Sequence, residues 1–464
     1  MLKRIVIYGF GTFFGKIIVF LLVPIYTRYL SPADYGQYDV VYSTMQMLVS
    51  ICYLEIWTGA LRFLFDYNSE KDKSRVNKTI LALFLPLSFV YIFGVLASQL
   101  WIQITDMRAA LIFGLTYALF NTLNSICRGI GENVLYVLSG LISSFVSCAS
   151  GVGLIVGFNL GANTLLYTSA LGYLTSAICI EMRTGIIRKA LQEKVDGVMA
   201  KKILMFSLPL LINSIAFTFL NTYDKGLLSN SLGTQENGYY AVISKYTTAL
   251  SMLGSIYQLA WQEQAFSMAG DDGRASVYAK NVNGHIRFMG AAMPIAAILL
   301  TIFFPVLAGT EYQNAISLIP MAIWGTYFSA FSGVIGSLFS AEKKTSVVLY
   351  STVLGAIINV AVINLCINRL GTEAINIALL LGFLTMCVMR MALIKRYVKI
   401  CYDSKLIAFI GTEYFVCTAL LRYGRLEMWL VSCVAFVSIW LYLNWSILQR
   451  LLMALIKMKG GQTR

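Results

Sequence analysis

Seven ionisable residues stand out because they sit in, or at the ends of, stretches made almost wholly of apolar side chains. Lys16, Glu55 and Lys245 fall inside runs of membrane length. Arg28, Asp224 and Lys225 mark run ends on one side, and Arg62 marks an end on the other. A charge at the bilayer centre costs roughly 2.5–3.5 kcal/mol on insertion scales, so each needs a partner or a task. Arg62, Lys16, Lys245 and the pair Arg28 and Lys225 form a ladder of positive charge from face to face. Such a ladder suits an anionic head group, above all a phosphate or pyrophosphate. Glu55 and Asp224 are the acids available for ion coupling or charge pairing. Two readings of Lys16 stand side by side: a rung of the ladder, or a partner for Glu55 about one helical turn, roughly 5 Å, away in depth. Lys245 has no acid in its own run, which points to a water-filled pathway. Arg28 and Lys225 suit interfacial anchoring as well as cargo binding.

Other chemistry is missing. The sequence holds no G-x-S-x-G, Walker or HExxH motif, so neither a cofactor nor a metal is expected. The one histidine, His285, falls at a loop edge and is expected to be solvated. Asp271-Asp272, in a glycine-flanked loop, reads as a turn. The nine cysteines show no CxxC and mostly lie in apolar runs, where Cys packs as a small hydrophobe. Asn121, Asn124, Asn213, Asn221, Asn359 and Asn364 lie in apolar runs, and most are expected to bond across helices.

The elements that must position these residues are helices. The chain has 464 residues, 58% apolar and 12% charged, half the charge of an ordinary soluble protein. Roughly fourteen runs reach the length a helix needs to cross the hydrocarbon. The second is expected over 39–61, the seventh over 203–223, the eighth over 238–262 and the tenth over 315–340. Two close the chain, over 406–421 and 428–448. The net charge of +14 is no nucleic-acid signal, because its lysines and arginines alternate between loops. About 28 fall on one side and about 6 on the other, which by the positive-inside rule puts both termini in the cytoplasm. Met1-Leu2-Lys3-Arg4 opens a retained first helix and not a cleaved signal, since Lys16 interrupts the run and no cleavage site follows.

The runs repeat. Leu30, Asp34, Gly36, Tyr38 and Val40 return in order as Leu232, Glu236, Gly238, Tyr240 and Val242, about 202 residues on. Leu160-Gly161 and Leu171-Gly172-Tyr173-Leu174-Thr175 return as Leu370-Gly371 and Leu381-Gly382-Phe383-Leu384-Thr385, about 210 residues on. Similar offsets at both ends indicate a duplicated half. Six runs separate the copies, so they are parallel repeats about an axis along the membrane normal. The expected fold is all-α and polytopic, with about 14 transmembrane helices: two six-helix bundles and two C-terminal helices. Its divisions are 1–185, a cytoplasmic linker 186–202, 203–395, and 396–464.

Several segments resemble a known family. Phe10-Gly11 through Lys16, then Pro24-Ile25-Tyr26-Thr27-Arg28-Tyr29-Leu30-Ser31-Pro32-x-Asp34-Tyr35-Gly36-x-Tyr38-Asp39, is similar to the opening of polysaccharide-biosynthesis flippases. These belong to the multidrug/oligosaccharidyl-lipid/polysaccharide exporter superfamily. Leu54-Glu55 through Arg62-Phe63, Ser207-Leu208-Pro209-Leu210, Asp224-Lys225 and Gly238-x-Tyr240-x-Val242 continue the likeness, which runs to about residue 395. The resemblance implies two six-helix bundles around a cationic cavity. It implies that an undecaprenyl-pyrophosphate-linked oligosaccharide, an O-antigen or capsule repeat unit, crosses the bacterial inner membrane by alternating access. H+ or Na+ is the implied coupling ion, and a glycan polymerase and chain-length regulator are implied partners beside the membrane lipids. Lys16, Arg28, Glu55, Arg62, Asp224 and Lys225 lie in the matching segments; Lys245 rests on depth alone.

Two other functions fit the same composition. An ion-coupled multidrug exporter of that superfamily would favour an acidic cavity, whereas these runs lean basic. A membrane glycan polymerase or ligase would need a sizeable outer loop, and the outer loops are all about fifteen residues or fewer. A scaffold would leave the buried charges without a task.

Overall fold

Ser31 and Asp34 show how the sequence starts its helices. The Ser31 hydroxyl accepts the Asp34 backbone N–H at 3.2 Å and donates to the Asp34 carboxylate at 2.7 Å, with Pro32 in the first turn. That is an N-terminal cap followed by the residue whose missing N–H would be unpaired anyway. The helix therefore begins at Pro32 and not at the expected position 39, so Asp39 lies inside it. This computed structural model describes residues 18, 20–65, 67, 69–100, 103–268, 271–342 and 344–460.

All regular structure among these residues is helical. In order come α1 (20–29), α2 (Pro32–Cys52), α3 (Ile56–Leu64), α4 (Glu70–Ser98), α5 (Met107–Gly129), α6 (Asn133–Val152) and α7 (Thr164–Thr184). A short α8 (Ile186–Ala190) and the long α9 (Gly197–Leu232) and α10 (Thr234–Ser267) follow. Then come α11 (Arg274–His285), α12 (Ala291–Leu307), α13 (Ile319–Ala341), α14 (Thr345–Leu370), α15 (Glu373–Ile394), α16 (Ser404–Tyr423) and α17 (Leu426–Gly460). Among the described residues ten helices are long and apolar enough to cross a bilayer, eleven if the bent pair α2–α3 counts as one span. α9 and α10, of 36 and 34 residues, carry the expected seventh and eighth runs. The first run lies largely outside the described residues. The expected all-α, polytopic membrane class is borne out.

Two runs differ in detail. The second is not one helix: α2 and α3 meet at a bend of 53°, because Leu54 and Glu55 both take φ of 53°. Left-handed backbone at two successive non-glycine residues costs energy and ends the α2 hydrogen-bond ladder. The tenth begins as a 3-10 turn over Thr310–Leu318 before Pro320 opens α13.

The chain forms two compact units: Met1–Lys245 with Ala308–Tyr312, and Tyr246–Leu307 with Gln313–Arg464. The first centres on buried Met45, Tyr53, Ile56, Leu64, Tyr91 and Phe113. Tyr91 donates to the Ala110 carbonyl at 2.8 Å, and Gly114 leaves room for its ring. Leu85, Phe89 and Phe93 of α4 face outward, the arrangement of a helix that meets acyl chains.

In the second unit Arg390 is 3% exposed. Its guanidinium donates to Ser351 Oγ at 2.8 Å, the Ser332 carbonyl at 2.6 Å and Thr352 Oγ1 at 3.0 Å, tying α15 to α14 and α13. His285 is fully buried and not solvated. It packs beside the rings of Tyr327 and Phe331 at centroid distances of 5.9 and 5.5 Å, because α11 continues into a packed helix where a loop edge was expected. Asn124 does bond across helices, accepting Ser139 Oγ at 2.7 Å, while Asn364 donates within α14 to the Val360 carbonyl. All nine cysteines are unpaired.

Candidate functional site

The first unit brings two of the predicted cations onto one carboxylate. Lys225 Nζ of α9 lies 2.8 Å from Asp39 Oδ2, and Lys245 Nζ of α10 lies 3.5 Å from Asp39 Oδ1. Lys225 also donates to Ser43 Oγ at 2.8 Å, one turn beyond Asp39 on α2. Three helices thus converge through side chains that point to one spot. Asp39 is completely buried, while the Lys225 and Lys245 side chains stay 13% and 23% exposed. Counted by themselves, these two ammonium groups and one carboxylate leave one positive charge over; Asp224, also buried, lies within electrostatic reach of Lys225. A buried ion pair is sustained only if its remaining donors are met, which is the part Ser43 plays for Lys225.

An aromatic wall flanks the ions. Lys245 Nζ sits 5.6 Å from the centroid of the Tyr42 ring, within cation–π range. Tyr42 leads on to Tyr38 and Phe113, at 5.6 and 5.0 Å, and Phe113 to Tyr117 and Tyr173.

Glycines let the carrying helices approach. A Cβ on Gly36 would overlap the Thr234 carbonyl, and a Cβ on Gly238 would overlap the Pro32 carbonyl. Asn237 seals the crossing by donating to the Gly36 carbonyl at 2.8 Å. This contact fixes α2 and the start of α10, and so sets Asp39, about one turn past Gly36, against Lys245, about two turns past Gly238.

The other predicted residues fall elsewhere. Asp224 adjoins Lys225 in sequence but is fully buried, and neither carboxylate oxygen has a hydrogen-bond donor in reach among the described residues. Glu55 lies at the α2–α3 bend and accepts Thr58 Oγ1 at 3.0 Å. Arg28 and Arg62 are exposed at the ends of α1 and α3. Lys16 lies outside the described residues, and with it the Lys16–Glu55 pairing. Lys245, read as lacking an acid because none lies in its own run, has one from α2.

Asp39 is the residue the sequence reading passed over, because it stood as the first position of a run. A signal was present. The repeat sets Asp39 opposite Ala241 and Ser43 opposite Lys245, so the copies differ in charge at two positions one turn apart. Arg390 was likewise passed over, although it stands near the end of an apolar run.

Comparison with solved structures adds the fold. The chain is similar to a structure described as lipid II flippase MurJ in an inward closed conformation, with a TM-score of 0.72 and 14% identity over 97% of this chain and 100% of that one. It is also similar to a multidrug resistance MATE family transporter of the MOP superfamily. The inward-facing form gives a TM-score of 0.61 and 15% identity over 83% of this chain and 93% of that one. The outward-facing form gives 0.57 and 14%, over 86% and 96%. At such identities the likeness is one of fold. No curated protein sequence matches the chain. The family described as "Polysaccharide biosynthesis protein" matches residues 1–261, more than half of the 464, and the chain belongs to that family.

Proposed function

We propose that the protein is a flippase that moves an undecaprenyl-pyrophosphate-linked oligosaccharide across the bacterial inner membrane by alternating access. The observation that carries this reading is the cluster of Lys225 and Lys245 on Asp39, three groups with one positive charge in excess among them, inside helices of membrane length. An ammonium pair with unspent charge and partial exposure is a receptor for phosphate oxygens. The sugars would travel in water along the polar path while the polyprenyl tail stays in lipid. The repeats 1–185 and 203–395 would rock about their shared axis, opening the path to each side in turn. Both termini would lie in the cytoplasm, and Arg62 and Arg28 would stand at the inner and outer mouths. Asp224, buried without a donor among the described residues, is the group we assign to ion coupling by H+ or Na+, with Glu55 at the strained bend as a second candidate.

A proteoliposome assay tests the reading. Full-length protein is reconstituted with a fluorescent undecaprenyl-pyrophosphate oligosaccharide, and outer-leaflet label is scored. Wild type should move label, and Lys225→Met and Lys245→Met should each slow it at least tenfold, a barrier change of about 1.4 kcal/mol. Equal rates in all three would reject the phosphate site.

One observation favours a second reading. The fold likeness to multidrug transporters extends to TM-scores of 0.61 and 0.57, so an ion-coupled drug exporter has the same scaffold available. The excess positive charge argues against cationic drugs. A drug-resistance phenotype that survives Lys245→Met would favour the exporter.

A further inference from the structure

We propose that Asp39 is a resident anion against which the cargo's phosphate competes, and that Lys245 is the arm it gives up. This rests on the reading of the lysine pair as a phosphate site. The two lysines are not held alike. Lys225 is held twice, by Asp39 at 2.8 Å and by Ser43 at 2.8 Å. Lys245 stands at 3.5 Å, outside the usual N–H···O hydrogen-bond range of about 2.7–3.2 Å, and is the more exposed of the two. Among the described residues its other support is the face of Tyr42, which a cation can leave without stranding a hydrogen-bond donor.

Asp39 cannot move to the cargo, because it is fully buried and fixed on α2. It cannot lose both partners either, because a lone carboxylate in the interior is severely unfavourable. Lys225 therefore stays. Once Lys245 leaves, Asp39 and Lys225 form a neutral pair, and Lys245 carries the whole excess charge to the phosphate. The carboxylate then acts in two ways. It holds Lys245 back, which lowers the fraction of protein ready to bind. It also repels the incoming anion. Both weaken capture, and both favour release at the far side. Asp39 is thus a positioning residue that sets how tightly phosphate is held.

The test uses full-length protein in nanodiscs and two probes: undecaprenyl pyrophosphate without sugars, and undecaprenol. Wild type should prefer the pyrophosphate, and Lys245→Met should remove the preference. Asp39→Asn should bind the pyrophosphate about tenfold more tightly, a common size for a coupling between two sites, and should flip it more slowly. Asp39→Asn that melts like wild type but binds no more tightly would overturn the role of Asp39 and leave the phosphate site standing. Wild type without preference for pyrophosphate over undecaprenol would overturn both. Should Asp39→Asn fail to fold, Asp39→Glu decides. Its longer carboxylate reaches further toward Lys245, so binding should weaken several-fold; unchanged or tighter binding rejects the inference.

Discussion

The copies that begin at Leu30 and Leu232 share a packing element and differ in charge. Gly36 and Gly238 hold corresponding places and press on each other's helices reciprocally, each leaving no room for a Cβ against the other copy's backbone. Gly172 and Gly382 repeat the lesson. The first sits on α7 against the Ser143 carbonyl of α6, and the second on α15 against the Gly355 carbonyl of α14. Side-chain chemistry did not follow the same symmetry. Asp39 faces Ala241 in the alignment, Ser43 faces Lys245, and Arg390 faces Ile180, which is buried and apolar. Duplicated backbone needs the same small residues wherever helices touch, because close packing leaves no slack. A charge needs its partner only once, so one copy suffices to supply it.

The largest expected effect comes from breaking what the copies share. Gly36→Val or Gly238→Val should prevent the α2–α10 crossing, and the yield of folded, monodisperse protein in detergent should collapse. The milder Gly36→Ala and Gly238→Ala should each cost about 1–3 kcal/mol by overpacking. Because the two changes act on one contact, the double variant should cost less than the sum. Additive losses in thermal melts would show that the glycines do not share one crossing.

Breaking what the copies do not share should affect activity more than stability. Lys245→Ser gives the second copy the residue that the first has at that place. Flipping should fall at least tenfold, whereas stability should change by about 1 kcal/mol or less, since Asp39 keeps Lys225. A large fall in melting temperature with normal flipping would make Lys245 structural.

Arg390→Met brings the second half toward the apolar state of Ile180. It leaves the Ser332 carbonyl and two hydroxyls without their donor, at a cost of about 1–3 kcal/mol. Flipping of the folded fraction should persist. Loss of flipping without loss of stability would extend the site into the second unit.

The smallest effect lies in the linker, which has no counterpart in the repeat. Asp196 caps α9 by accepting the Val198 and Met199 N–H groups, each at 3.0 Å, and pairs with Arg75 at 3.3 Å. The Met199 N–H, ahead of the charge of Arg75, holds its carboxyl below the usual 3.8. A lowered folded pKa means that the cap is in full force above 3.8 and weakens as pH falls through the lower folded value. Hydrogen exchange at Val198 and Met199 should therefore accelerate at acidic pH in wild type relative to Asp196→Asn. Asparagine caps equally well and does not titrate in this range. The same pH profile in both proteins would remove the titrating cap.

The membrane class, the helical content and the duplication were legible in the sequence. Each depends on runs of about twenty residues or on a recurring pattern, and both are local along the chain. The cations Lys225 and Lys245 were legible as well, because a charge in an apolar run is conspicuous wherever it sits. Tertiary structure alone decided that they meet. Asp39 comes from α2, some 186 positions before Lys225, and the two pairings exist because α2 packs against α9 and, at the Gly36–Gly238 crossing, against α10. It also decided that His285 is enclosed by rings, that Arg390 finds hydroxyls and a carbonyl, and that the second run breaks at Leu54 and Glu55. In each case the partner is distant in sequence or the backbone is strained by its surroundings. Neither leaves a periodic trace, because the energy of a contact depends on distance in space and not on separation along the chain.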